Sequence, residues 1–312
     1  MTRELRRLLI APGRLAQAAA EPPDSLAAKA AAGGQAAPPV GEGALPVLQL
    51  EDGESRYLSR VLRYGPGDRF AVVDGGGQLW SAELLDRSSA RLEQPLSAPL
   101  LIAPLPSPVL ELAVAVPRRD FDTVLRMGCE LGVDRLQPLL AERTVQGVET
   151  GAQGRRERWQ AIVREACEQC ERLWLPQLLE PMAAAAWLQN PTALASDAAN
   201  SEHGQSRWLA TTRAAGLPLL GELLGAGAPG AGAELRGCQA AAPVAARWGA
   251  LARLAIGPEG GWTPAEEQVA AEAGWQPVSL GPTILRTSTA AVAGLSLLSA
   301  WRAGSCGGEI DR

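Results

Sequence analysis

Lysine is nearly absent from this 312-residue chain: Lys29 is the only one, and the remaining cationic side chains are arginine. Arginine carries a planar fork of donors that suits phosphate. A GC-rich genome that exchanges lysine for arginine throughout gives the same pattern, so the bias alone assigns no RNA contact. Histidine is also scarce. With His203 alone, most His-based triads and metal sites are excluded. The cysteines stand at 129, 167, 170, 238 and 306, an odd and scattered set that forms no disulfide framework. Cys167 and Cys170 have C-x-x-C spacing without a second pair, inside a helical pattern, and read as two cysteines of one helical face. No apolar run reaches the roughly 20 residues of a membrane span. Met1 to Arg14 carries four arginines and no apolar signal core before Pro12 and Gly13. A cytoplasmic protein without secretory signal is therefore expected.

What is present is a composition able to build a core: 46% apolar and 20% charged residues, in a chain long enough for two domains. The net charge of -5 rules out a uniformly basic coat, so any nucleic-acid contact must use a local patch. Residues 19–44 are rich in Ala, Pro and Gly and read as a low-complexity insertion, a mobile loop. Around it short strands are expected at 8–11, 45–50, 69–73, 79–85 and 90–92, with a helix over 54–63 and turns at 65–68 and 74–77. Short strands with regular turns suggest a small barrel. Five prolines between 95 and 108 mark a linker, which sets domains at 1–98 and 107–306. Beyond it, strands at 109–116, 135–140, 207–211, 251–257 and 277–279 alternate with helices at 119–131, 155–173, 182–188, 264–274 and 287–302. That rhythm predicts an α/β domain with a parallel sheet covered on both faces. Segments 190–206 and 224–246 lack pattern and read as loops.

Four segments could carry chemistry. Ile256-Gly257-Pro258-Glu259-Gly260-Gly261-Trp262-Thr263-Pro264 follows an apolar strand and opens a helix, with Thr263 as N-cap and Pro264 at the first position. Its glycines allow close backbone approach to a ligand at the carboxyl end of a strand. It is neither a P-loop nor G-x-G-x-x-G, and a plain strand-to-helix turn would look the same. Leu280-Gly281-Pro282-Thr283-Ile284-Leu285-Arg286-Thr287-Ser288-Thr289-Ala290 is a second Gly-Pro loop feeding a helix, with Thr287 or Ser288 as cap and Arg286 beside free N–H groups. That arginine suits an anionic group, though a surface arginine beside an ordinary cap fits equally. In the helix near 157–176, Trp159, Ile162, Val163, Ala166 and Cys170 form one stripe; Arg164, Glu165, Glu168, Gln169 and Arg172 lie off it, on a face that is functional or merely solvated. Arg56, Arg60 and Arg63 fall at i, i+4 and i+7 of a helix and share one face, which Arg3, Arg6 and Arg7 could join. That face holds RNA phosphates or is simply hydrated.

Together these segments resemble the 16S rRNA uridine-N3 methyltransferases, the RsmE family of the SPOUT superfamily. The resembling stretches are RYLSRVLRYGPGD (56–68), RMGCELGVDRLQPLLAERT (126–144), RWQAIVREACEQCERLWLP (158–176), IGPEGGWTPAEE (256–267) and LGPTILRTSTA (280–290), in the family's order. The resemblance implies an N-terminal PUA-like β-barrel for RNA and a C-terminal α/β SPOUT domain threaded as a deep trefoil knot, which general connection rules would exclude. It implies a homodimer acting on the 16S rRNA of the 30S subunit, with no metal and no membrane. S-adenosyl-L-methionine would bind at Thr211, at Ile256, Gly257, Pro258, Glu259, Gly260 and Gly261, and at Leu280, Gly281, Ile284, Leu285, Arg286, Thr289 and Ala290. RNA would meet Arg6, Arg7, Arg56, Arg60, Arg63, Arg118, Arg119 and Arg172. Catalysis would fall to Arg286, which stabilises negative charge on the uridine oxygens, and to Glu259 as proton acceptor; for Glu259, bonding the amides of its own loop is the competing role. Three departures stand out. Ser288 replaces a usual glutamate, the insertion 19–44 is long, and Arg118-Arg119 stands where lysine is common. A superfamily enzyme with another RNA target, an inactive RNA-binding assembly factor and a generic nucleotide-binding enzyme are the alternatives; the absence of a phosphate-loop lysine speaks against the last.

Overall fold

The computed structural model describes residues 5–20, 45–144, 154–190, 205–212, 214, 216–225 and 251–305. The insertion from 21 onward and most of the two expected loops, together with Arg3, Lys29, His203, Cys238 and Cys306, lie outside them. The chain divides into two compact units, residues 1–105 with 167–175, and residues 106–166 with 176–312.

The first unit is a mixed sheet of β1 (Arg7–Leu9), β2 (Val47–Gln49), β3 (Arg69–Val73), β4 (Gln78–Leu84), β5 (Ser89–Leu92) and β6 (Leu101–Ile102). The order is β1-β3-β4-β5-β2, with β6 also on β4; β1 runs parallel to β3 and the other pairs are antiparallel. Alternate residues turn inward: Phe70 and Val72 on β3, and Trp80, Ala82 and Leu84 on β4, pack with Leu8, Leu48 and Leu92 into one core. The expected turn at 74–77 is held by the Asp74 carboxylate, which accepts the Gly76 amide at 2.7 Å and the Gln78 amide at 2.9 Å. Gly77 has φ 94°, and a Cβ there would stand 2.5 Å from the Trp174 ring, so this position requires glycine.

The first unit departs from the sequence expectation at several points. Residues 19 and 20 end helix α1 (Pro12–Ala20), whose proline occupies the first helical position where its missing N–H costs nothing. The expected linker contributes β6, because Leu100 and Ala103 donate to β4-side carbonyls of Leu79 and Gly77. The helix over 54–63 is α2 (Asp52–Arg56) followed by a π-helical turn, Tyr57–Val61, with Arg63 in the left-handed region at φ 59°. The wider turn breaks the 3.6-residue period, so Arg56, Arg60 and Arg63 do not follow one α-helical face.

The second unit is a parallel sheet. It contains β7 (Val109–Ala115), β8 (Arg135–Leu140), β9 (Gln177–Leu178), β10 (Met182–Ala183), β11 (Gln205–Ala210), β12 (Leu251–Ile256) and β13 (Gln276–Val278), ordered β10-β8-β7-β12-β11-β13 with β9 on β8. Helices α3 (Phe121–Glu130), α4 (Arg156–Gln169), α6 (Leu220–Gly225) and α8 (Thr287–Ser305) belong to one face, where Leu110, Leu112, Val114, Leu254 and Ile256 point; α5 (Ala184–Gln189) and α7 (Pro264–Glu272) pack on the other with Ala113, Ala115, Leu209 and Ala255. Strands buried on both sides read as continuous apolar runs, which is why β7 and β12 were legible. A charged row crosses that second face near the strand beginnings. Arg135, Glu111, Arg253 and Arg207 are cross-strand neighbours, and the fully buried Glu111 accepts from Arg253 Nε at 3.1 Å.

The α4 helix stops at Gln169, earlier than the periodicity indicates. Glu171 turns left-handed at φ 60° and the Arg172 amide closes onto the Cys167 carbonyl at 3.1 Å. The buried stripe is accordingly Trp159, Val163, Ala166 and Cys167 rather than Cys170. The Thr263 cap and Pro264 start of α7 occur as expected, in a capping box with Glu266. Helix α8 lies so close to β12 that a Cβ on Gly294 would occupy the space of the fully buried Leu254 side chain. Gly294→Val is expected to lower unfolding stability by about 1–3 kcal/mol through overpacking, read as a lower denaturant midpoint at unchanged slope.

Candidate active site

Three loops leave the carboxyl ends of β11, β12 and β13, where parallel sheets place their ligands. The β12 loop is fixed from several directions. Trp262 is buried, donates its indole N–H to the Ala210 carbonyl of β11 at 3.0 Å, and lies so near Gly257 that a Cβ there would stand 3.0 Å from its ring. Arg143, just past β8, donates from Nη1 to the carbonyls of Gly260 at 3.1 Å and Trp262 at 3.0 Å. A Cβ on Gly260 would meet Arg143 Cβ at 3.1 Å, so this glycine makes room for that arginine. Beside it, buried Glu266 accepts the amides of Thr263 and Glu142, each at 2.9 Å. The turn is thereby bonded to β8 and β11 as well as to its own strand.

The β13 loop bends at Gly281, φ 147°, whose carbonyl accepts the Ser279 hydroxyl at 2.9 Å. It then closes onto the β12 loop. The Thr287 hydroxyl does not cap α8 as expected; it donates across to the Gly257 carbonyl at 3.0 Å. The first helical bond of α8 instead runs from the Ala290 amide to the Arg286 carbonyl at 2.8 Å, making Arg286 the cap position.

Between these loops lies a cavity of about 260 Å³. Of the residues expected to contact the cofactor, Thr211, Ile256, Gly257, Pro258, Glu259, Gly261, Leu280, Ile284, Leu285 and Ala290 line it. Gly260, Gly281, Arg286 and Thr289 stand outside the lining: the first turns its carbonyl to Arg143, the second forms the bend, and Arg286 and Thr289 are exposed where α8 begins. Sequence reasoning missed Arg143, Trp262, Pro264 and Glu267 as lining residues, whereas Ala210, Thr212, Thr283 and Thr287 fall within the three loops around 210–212, 257–261 and 280–290 that the family resemblance implies for the cofactor. Arg143 and Trp262 lie inside the quoted family-like stretches, but nothing in their spacing says that one braces the turn and the other bridges two strands.

Two carboxylates and one guanidinium line the cavity. Glu259 and Glu267 are its lining carboxylates, and the Glu267 carboxylate accepts the Thr211 hydroxyl at 3.2 Å. Arg143 is its lining cation and is engaged by backbone carbonyls. Aliphatic surface from Ile256, Leu280, Leu285 and Ala290 completes the wall. Such a site suits a ligand with an apolar ring and a positive charge; among the described residues no lysine lines it to meet a polyphosphate. Among the described residues no group of acidic, cysteine and histidine side chains is arranged to hold a metal ion.

The arginines expected at RNA are divided between the units. Arg6 and Arg7 each lie 3.8 Å from the Glu171 carboxylate. Arg56, Arg60 and Arg63 are exposed around the π turn, Arg172 is half-buried after α4, and Arg118 and Arg119 are exposed after β7.

A family model described as an RNA methyltransferase domain matches residues 104–218 and 233–299, and one described as an RNA methyltransferase PUA domain matches residues 50–93. The chain is 37% identical over 259 residues to ribosomal RNA small subunit methyltransferase E of Synechocystis, covering 81% of this chain and 73% of that protein. It is 25% identical over 267 residues to the protein of the same name from Bacillus subtilis, covering 81% and 90%. Among solved structures, ribosomal RNA small subunit methyltransferase E from Neisseria gonorrhoeae, bound to S-adenosyl methionine, superposes with TM-score 0.60 at 28% identity, over 84% of this chain and 95% of that one. The chain belongs to the RNA methyltransferase family, with ribosomal RNA small subunit methyltransferase E as its named relative.

Proposed function

We propose that this chain transfers a methyl group from S-adenosyl-L-methionine to N3 of a uridine in the 16S rRNA of the small ribosomal subunit. One observation carries the reading: the two Gly-Pro loops are bonded to each other by Thr287 and Gly257 and enclose a cavity whose lining carboxylates fit a sulfonium cation. The residues present fit this cofactor. Ile256, Leu280, Leu285 and Ala290 offer apolar surface for an adenine, and Glu259 and Glu267 offer acceptors for ribose hydroxyls or an ammonium group. When bound, the cofactor supplies an electrophilic methyl group.

The chain's own work is positioning and charge stabilisation. Uridine N3 carries a proton in the neutral base and becomes nucleophilic when that proton leaves. Exposed Arg286, between Leu285 and Thr287 of the lining, supplies positive charge to uridine oxygens as the anion develops. Glu259, exposed and in the lining, accepts the proton. Arg143 and Trp262 hold the turn that carries Glu259. The exposed arginines of the first unit hold RNA phosphates, and Arg118 and Arg119 extend the basic surface after β7.

The finer architecture is part of the proposal: a PUA-like barrel in the first unit, a deep trefoil knot in the second, and a homodimer. Supporting the knot, β13 sits at the sheet edge whereas α8 packs on central β7 and β12, so residues 279–286 must return across the strand ends. Supporting the dimer, Ile284 lines the cavity at 79% exposure, an apolar side chain a second copy would cover.

Purified chain with labelled S-adenosylmethionine and undermodified 30S subunits is expected to yield 3-methyluridine by mass spectrometry; label on another base, or none, would contradict the assignment. Arg286→Ala is expected to lower kcat about 100-fold, the usual cost of one charge-stabilising donor, while cofactor affinity changes little. Arg143→Ala is expected to raise KM for the cofactor about tenfold, as two charge-assisted bonds are lost, with faster amide hydrogen exchange over residues 260–263 and a folded core.

A further inference from the structure

A second cavity, of about 230 Å³, lies in the first unit beside the π-helical turn. Three independent features meet there. The first is the backbone. The Leu62 amide bonds five residues back to Tyr57 at 3.0 Å, and the next residue, Arg63, is left-handed at φ 59°. Both conformations are unfavourable for these residue types, and such devices concentrate at functional sites. Widening the turn opens space between it and β4.

The second feature is the lining. Leu58 and Leu84, almost fully buried, give an apolar floor, with Tyr64 and Pro66 at the side. Ser55 and Ser59 also line this space. Ser59 donates its proton to the Ser55 carbonyl at 2.7 Å, and Ser55 donates to the Arg87 carbonyl. With their protons committed, both hydroxyls are left as acceptors. An unstacked nucleobase, apolar on its faces and carrying N–H donors at its edge, suits such a lining.

The third is charge. Arg60, Arg63 and Arg87 are exposed and form no ion pair among the described residues, and Arg56 engages the Asp52 carbonyl at 3.0 Å rather than a carboxylate. Elsewhere in this unit arginines are paired: Arg14 with Glu54, Arg69 with Glu93, Arg91 with Glu83. The nearby acids are spent on their own loops, Asp68 on the Gly65 amide at 2.8 Å and Asp86 on Ser88 and Ser89. The Ser89 hydroxyl and the Ser88 amide hold the Asp86 carboxyl below the usual carboxylate range, so it stays an acceptor for its own turn. Arg87 thus lines the cavity as a cation without an ion pair among the described residues, and Arg60 and Arg63 are sequence neighbours of its lining residues Ser59 and Tyr64.

We propose that this cavity receives one unstacked base of single-stranded RNA, while Arg56, Arg60, Arg63 and Arg87 hold the phosphates on either side. The first unit then reads its substrate through a base as well as through backbone charge. The RNA substrate class rests on the methyltransferase reading above; the site does not overlap the cavity of the second unit.

The test is fluorescence anisotropy with the full chain and short oligomers of riboadenosine, ribocytidine or ribouridine, against a ribose-phosphate oligomer of equal length without bases. The intact chain is expected to bind at least one base-bearing oligomer about tenfold more tightly than the abasic one, within the range of one held base. Ser59→Trp, which fills the cavity, is expected to remove that difference and leave the salt dependence intact. Arg60→Ala is expected to keep the difference and lower the salt slope by about one. Equal affinity of the intact chain for abasic and base-bearing oligomers would overturn the proposal, and needs no variant to fold. A folded Ser59→Trp chain, judged by circular dichroism, that keeps the full preference would overturn it too. Failure here beside normal 3-methyluridine formation on 30S subunits removes the cavity alone; absence of methylation by the intact chain removes the enzymatic reading instead.

Discussion

The hydrogen bond from the Thr287 hydroxyl to the Gly257 carbonyl is the contact on which the site depends. It joins the start of the last helix to the end of a central strand, across two loops that would otherwise hang independently from β12 and β13. Its neighbours make it possible. Trp262 fixes Gly257 from behind and ties the same loop to β11, and Arg143 ties the far side of the turn to β8. Each of these bonds ends on a backbone carbonyl at the carboxyl edge of the sheet, that of Ala210 at the end of β11 and those of Gly257, Gly260 and Trp262 in the β12 loop. The loops satisfy that edge and form a cavity in doing so.

The remainder of the second unit serves this edge from a distance. The apolar faces of β7 and β12 bury helices on both sides, and the charged row of Arg135, Glu111, Arg253 and Arg207 sits near the opposite end of the strands. Arg207 reaches from that row to the Ala273 carbonyl at 2.8 Å, completing the end of α7, the helix whose capped start carries the glycine turn. Burial, then the neighbouring Arg253, holds the Arg207 guanidinium below its usual pKa, the direction expected of a cation without an adjacent carboxylate of its own.

Much of this was legible in the sequence because it is local. The apolar runs of β7 and β12, the Thr263-Pro264 helix start, and the Gly-Pro punctuation before and after β13 follow from propensity and period. What escaped is non-local. The role of Arg143 depends on β8 lying within reach of a turn 117 residues away. Thr287 looked like a cap because its local context is a helix start, yet its hydroxyl was claimed by a carbonyl 30 residues earlier. The π turn at Tyr57–Val61 replaced an expected α-helical face because tertiary packing of Leu58 and Tyr64 overrode the period of the arginines. In each case a long-range contact outweighed a weak local preference.

The central claim is that the two joined loops form the cofactor site, and calorimetric titration of the full chain and of Thr287→Val with S-adenosylmethionine tests it most directly. The account requires saturable binding at one site per chain, weakened about tenfold or more in the variant, as the loss of a hydrogen bond and of the loop closure it maintains implies. A chain that takes up no cofactor, or a folded Thr287→Val variant that binds it as tightly as the original, would contradict it.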